Sequence, residues 1–200
     1  VVFSVFKLIS LLAITGVKRY QRVLIHRTIS ILDCFLGRSI AYFRSYLMIL
    51  LIIFLSTSIY EQKLQLEKPL LALYILVLLF MLCVGFGLLT FIIGSFYPQT
   101  QLFIRFFIRR ILFWTSGIFA PLYVLPPSIY KYFTWNPLLH ASELLRHSIN
   151  SAYPLPLGYI SVEYITIISI FSIILSSTLY LISHKELEYL QAMSINFNES

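Results

Sequence analysis

Five long apolar stretches alternate with short polar ones: residues 1–15, 40–60, 69–94, 102–125 and 162–183. None shows the strict period-two alternation of a half-buried strand, so each predicts helix. Four exceed the ~20 residues that a ~30 Å hydrocarbon core demands, and the first is short for a span. Residues 16–33 carry a different pattern. Arg19, Arg22, His26, Ser30 and Asp33 recur at i, i+3, i+7, i+11 and i+14, with Ile25, Ile29 and Leu32 opposite. That pattern predicts a two-faced helix of about four turns. Asn136-Pro137 signals a second short helix, because Asn caps free amides and Pro suits the first turn. From Pro137 to about Ile149, it places His140, Glu143, Arg146 and His147 within an arc of roughly 120°. Leu138, Leu145 and Ile149 fall opposite. At ~1.5 Å per residue this helix is roughly 20 Å long, too short to cross, and it is expected at a membrane surface or dipping into one. Everything after residue 183 is a polar tail.

Composition fixes the class that the pattern suggests. Hydrophobic residues make up 59% and charged residues 12% of the 200, and mean hydropathy is +0.87. A soluble domain carries about twice that charged fraction, and a β-barrel shows alternating strands. The expected fold is therefore all-α and polytopic. The net charge of +7 does not point to nucleic acid, because the basic residues flank apolar spans. Residues 16–44 hold six (Lys18, Arg19, Arg22, Arg27, Arg38, Arg44), the fourth span three (Arg105, Arg109, Arg110) and the tail one. The other two loops hold only Lys63, Lys68, Lys131 and Arg146. The positive-inside rule makes the richer set cytoplasmic, with Val1 outside, five spans and a cytoplasmic C-terminus; a further span upstream is expected. Arg105, Arg109 and Arg110 act as positive-inside anchors or contact an anionic lipid headgroup.

Several chemistries find no support. There is no phosphate loop, no HExxH and no spaced nucleophile–base set, and Cys34 and Cys83 form no disulfide or metal pattern. No acid lies inside an apolar span beyond Glu163 at the very start of the last one, which argues against a proton relay. No cofactor and no metal are expected, and energy for uphill movement must come from another subunit.

Three stretches together, RVLIHRTISILDCFLGR, SGIFAPLYVLPPSIYKYFTWNPLLHASELLRHSI and a last span with a short tail, carry a resemblance. The chain resembles the ABC-2 type permeases, most of all the inner-membrane permeases of capsular polysaccharide export, and is similar to O-antigen and teichoic-acid permeases. The resemblance implies six spans per protomer, of which the first is missing here, and a homodimeric pore in the bacterial cytoplasmic (inner) membrane. It implies a cytoplasmic ATP-binding cassette subunit docked on a coupling helix, here 16–33, with Arg22, His26, Arg27 and Asp33 as contacts. It further implies re-entrant helices at about 128–133 and 137–149, a lipid-linked polysaccharide as cargo, and periplasmic and outer-membrane export partners.

Individual residues leave alternatives open. Tyr123, Tyr130, Tyr132, Phe133 and Trp135 form either an interfacial aromatic belt or a stacking surface for sugars. His140 is a structural histidine or a contact to a sugar hydroxyl. Glu143 and Arg146, one turn apart, satisfy each other or stabilise a gate. Trp114, in mid-span, is read as packing. The competing function classes are a membrane-embedded glycan-modifying enzyme, for which His140 and Glu143 are the one available acid/base pair, and a structural scaffold.

Overall fold

The computed structural model describes residues 1–15, 30–61, 66–156 and 158–199, without the side chains of 31, 61, 188 and 190–199. Among the described residues every regular element is helical: α1 (Val2–Ala13), α2 (Ile31–Glu61), α3 (Pro69–Phe96), α4 (residues 101–115), α5 (Pro137–Ile149) and α6 (Val162–Glu199). Three stretches are long and apolar enough to cross a membrane: Leu32–Tyr60, Pro69–Phe96 and Val162–Leu187. The chain is an all-α polytopic membrane protein.

Several boundaries depart from the sequence pattern, each for a local reason. A helix over 16–33 does not run through its last residues, because Ser30 and Asp33 start α2 instead. The Ser30 amide donates to Asp33 Oδ2 and the Asp33 amide to Ser30 Oγ, both at 3.1 Å, a reciprocal capping box. Arg22, His26 and Arg27 lie outside the described residues. The predicted span 102–125 is helical only to Thr115. It consists of Gln101–Phe106, a π-helical turn Phe107–Leu112, and Phe113–Thr115. It ends at Ser116 and at Gly117, whose φ of 69° is left-handed. Short 3-10 turns, Leu122–Val124 and Pro127–Tyr132, lead to α5. The last helix, by contrast, runs past 183 to Glu199, because KELEYLQAM contains good helix formers and no Gly or Pro.

α3 is the central helix, packed against α1, α5 and α6. Its buried side, including Ile75, Leu79, Leu82 and Phe91, forms the core with Phe3, Phe6 and Ile9 of α1. Apolar burial cannot hold helices together against lipid tails that are equally apolar, so close contact and interhelical hydrogen bonds carry the packing. Thr90 Oγ1 donates to Ser10 O at 3.2 Å. A Cβ on Gly94 would lie 2.1 Å from Ile14 O, and one on Gly85 2.8 Å from the Ser172 carbonyl carbon. Both neighbours are backbone, so neither can give way. α2 leaves Ile40, Met48, Ile52, Leu55 and Ile59 exposed, as a lipid-facing helix does.

Gly94→Val should therefore pry α1 from α3 at an overpacking cost of ~1–3 kcal/mol. The expected outcome is a lower melting midpoint of the detergent-solubilised protein; an unchanged midpoint would mean that this contact does not set the packing.

Candidate functional site

The site is built where α4 stops. A helix end leaves carbonyls without intrahelical partners, and at Ser116 and Gly117, which are buried, bulk water does not take them. The side chains of α5 supply the donors. Asn136 Nδ2 donates to Leu112 O at 3.1 Å and to Thr115 Oγ1 at 2.8 Å. Ser142 Oγ donates to Ser116 O at 3.1 Å, and Arg146 Nη2 to Gly117 O at 2.7 Å. Asn136 also works at its other end, where Oδ1 caps α5 by accepting from the Leu138 amide at 3.0 Å. It is fully buried. The cap was legible in the sequence; the donation to α4 was not, since it depends on where α4 breaks.

Glu143 is the centre of this arrangement and is 0% exposed. Its Oε1 accepts from Arg146 Nη1 at 2.5 Å and from the Leu122 amide at 3.3 Å, and its Oε2 from the Tyr153 hydroxyl at 2.7 Å. One carboxylate thus ties together α5, the turn after α4 and the loop before α6. Burial, then the hydrogen bond to Glu143, holds the Tyr153 phenol above its ordinary pKa, so it remains a donor. The Arg146 side chain is 31% exposed. It opens on a cavity of about 320 Å³ shared with Ser4, Leu50, Ser116 and Ser142. The left-handed φ of Gly117 strains any side chain there, whereas the 2.6 Å approach of a Cβ to Leu139 Cδ1 meets only a movable side-chain end.

The polar and apolar sides of α5 are both buried: Leu138, Leu144 and Leu145 alongside His140, Glu143 and Ser148. His140 and Glu143 on the ionisable side thus meet protein, while Arg146 on the same side keeps partial exposure. His140 is 2% exposed. Its Nδ1 accepts from the Ser161 amide at 3.1 Å, so Nε2 carries the proton and donates to Thr134 O at 2.7 Å. Burial lowers its pKa, in keeping with a neutral ring. Both nitrogens are used within the protein, and none is left for a sugar hydroxyl. At the far end of α5, the Lys68 amide donates to Ser148 O at 3.0 Å and Lys68 Nζ to His147 Nε2 at 2.7 Å. Glu67 Oε2 accepts from the Ser151 amide at 2.9 Å and from its hydroxyl. The loop before α3 and the loop after α5 therefore share one end of the bundle.

The five aromatics of the sequence reading are not one surface. Tyr130 is buried with Leu122 and Leu139. Tyr123 meets Tyr153 edge-on, with centroids 5.4 Å apart, and Trp135 sits 6.3 Å from Phe107 while its carbonyl accepts from the Tyr164 hydroxyl. Phe133 is half-buried, and Tyr132 is exposed. Trp114, expected to pack, is 60% exposed and stacks on Phe119 at 4.8 Å. Arg105 is half-buried, Arg109 and Arg110 are exposed, and Asp33 is engaged in its cap.

The double role of Asn136 separates two variants. Asn136→Asp keeps a good cap but replaces the donor to Leu112 O with a second acceptor. It should cost ~1–3 kcal/mol, the loss for an unsatisfied buried group. Its melting midpoint should fall well below wild type; equality would leave Asn136 only its cap.

The comparisons with known proteins fit this architecture. A family model described as ABC-2 type transporter matches residues 1–150, from α1 through the whole of α5. Two Escherichia coli proteins, each described as polysialic acid transport protein KpsM, are 25% identical to the chain over 182 residues, covering 89% of it and 68% of their own length. With the family match covering well over half of its length, including the α4–α5 clamp, the chain belongs to the ABC-2 type transporter family.

Proposed function

We propose that the chain is the permease subunit of an ATP-driven exporter that carries lipid-linked capsular polysaccharide across the bacterial cytoplasmic membrane. Family membership supports a membrane subunit of a transporter, and the polysialic acid transport role of the two Escherichia coli relatives supports a polysaccharide cargo. O-antigen or teichoic acid is the alternative cargo within the same chemistry. Two copies would form the pore. A cytoplasmic ATP-binding cassette subunit would dock on residues 16–33, with Arg22, His26 and Arg27 as contacts, and hydrolyse ATP. A membrane-embedded enzyme is disfavoured by one observation: His140 and Glu143, its acid/base pair, are both consumed by internal hydrogen bonds.

The observation that carries the mechanism is the fully buried carboxylate of Glu143 pinning Arg146 over the broken end of α4. A backbone break at membrane depth is sustained only where protein or a water-filled path covers it. In our reading α5 is a gate: it holds the end of α4 in the resting state and releases it as polymer passes. The exposed aromatics beside it, Tyr123, Tyr132 and Trp135, line the exit.

Breaking a buried pair costs ~3–5 kcal/mol, less on the side that reaches water. Arg146→Ala leaves a charge with no exposure, whereas Glu143→Ala leaves a cation that opens on the cavity. Arg146→Ala should therefore reduce surface polysaccharide more than Glu143→Ala. The double variant should lose less than the sum of the two, because the second change removes the orphaned charge. The measurement is surface against intracellular glycan, normalised to membrane-inserted protein. Normal export in both single variants would remove the gate.

A further inference from the structure

α4 holds one residue more than an even α-helix between the same two ends needs. The turn Phe107–Leu112 is π-helical and closes i→i+5 bonds where an α-turn closes i→i+4. Such a turn is an α-helix with one residue inserted, and the bonding beside it is loose. The Phe107 amide is shared between the carbonyls of Phe103 and Ile104, and the Ser116 amide reaches Phe113 O only at 3.4 Å. What fixes the register lies at and beyond the end of the turn. Phe113 meets the buried Phe3 of α1 at 5.2 Å, and side chains of α5 hold the carbonyls of Leu112, Ser116 and Gly117.

When the inserted residue is wound in as ordinary α-helix, everything after it turns by about 100° and advances ~1.5 Å. Each residue then takes the place of the one that follows it. Over residues 111–116, ILFWTS, the exchange is close to like for like. Ile111 takes the buried place of Leu112, Leu112 that of Phe113, Phe113 that of the exposed Trp114, and Thr115 that of the buried Ser116. The backbone repeats at every residue, so the donors of α5 meet the preceding carbonyls, those of Ile111, Thr115 and Ser116. One exchange is poor. Trp114 enters the half-buried place of Thr115, whose hydroxyl accepts from Asn136 Nδ2 at 2.8 Å. An indole there is overpacked, and that mismatch keeps the resting state in the π register.

We infer that α4 is a two-position helix: the clamp from α5 latches residues 107–112 in the π register, and its release lets them rewind to α and swing Phe113–Gly117 by one residue. This rests on the gate reading above and names the motion by which the end of α4 moves. Trp114 is the side chain that sets the balance between the two positions, although it takes no part in the clamp.

The register is read by which residue of α4 faces Phe3. In the full chain with Cys34 and Cys83 replaced, Phe3→Cys is combined either with Phe113→Cys or with Leu112→Cys. Each pair is treated in native membranes with a short bis-methanethiosulfonate. The 113 pair should link faster than the 112 pair, and Trp114→Thr should move the ratio of the two rates roughly fivefold towards 112, as expected when a two-state balance shifts. Deleting Ile111 removes the inserted residue and leaves an even α-helix whose flanks face as before. That variant should keep its melting midpoint, keep its preference for 113 and no longer respond to Trp114→Thr. A ratio that Trp114→Thr leaves unmoved, a shift that survives the deletion, or a deletion variant that unfolds would each overturn the proposal. If Leu112→Cys does not fold, the 113 pair decides alone: Trp114→Thr should slow it with Ile111 present and not with Ile111 deleted. Linking needs neither ATP nor cargo, so the register shift and the export reading can fail independently.

Discussion

A helix that ends buried inside the protein must have its last carbonyls satisfied by the protein, and the rest of this structure follows from how that is done. α4 stops at Ser116–Gly117, and α5 supplies Asn136, Ser142 and Arg146 as donors to the carbonyls of Leu112, Ser116 and Gly117. Donating from Arg146 requires a counter-charge, which Glu143 provides from a fully buried position. Glu143 in turn draws in the Leu122 amide and the Tyr153 hydroxyl. A single broken helix thus accounts for the cluster of ionisable residues on α5, for the left-handed Gly117, and for the burial of a helix that carries two histidines, a glutamate and an arginine.

The clamp is mounted on a close-packed frame. α3 approaches α1 and α6 at glycines whose neighbours are backbone atoms, leaving little room for these helices to slide. α4 buries Ile108 and Leu112 in the core and is further held through Phe107, Phe113 and the clamp. The broken end of α4 meets α5 at hydrogen bonds made by side chains. Hydrogen bonds of this kind can be exchanged with water or with a hydroxylated cargo at little net cost, whereas interlocked backbone contacts cannot.

Much of this was legible in the sequence, in proportion to how local each signal is. The start of α5 at Asn136-Pro137 and its Glu143–Arg146 spacing are readable from neighbouring residues. The Ser30–Asp33 capping box is equally local, but it was masked by a longer periodic pattern running through the same residues. The break in α4 was not legible, because Ser116-Gly117 within an apolar run is a weak stop and Pro121 lies further on. Once that break was missed, the second partner of Asn136, the burial of His140 and the exposure of Trp114 were out of reach, since each depends on where α4 ends. The π turn has no sequence signature of its own.

If α5 closes the path by holding the end of α4, fixing the two together must stop transport. Ser142 donates to Ser116 O at 3.1 Å, so these two positions are neighbours across the clamp. With Cys34 and Cys83 replaced, Ser116→Cys and Ser142→Cys can be joined by a short, reducible bis-methanethiosulfonate. Surface polysaccharide is then followed before linking, after linking and after reduction. Export should fall to background on linking and recover on reduction; a linked permease that exports at the unlinked rate would contradict a gate made of α4 and α5.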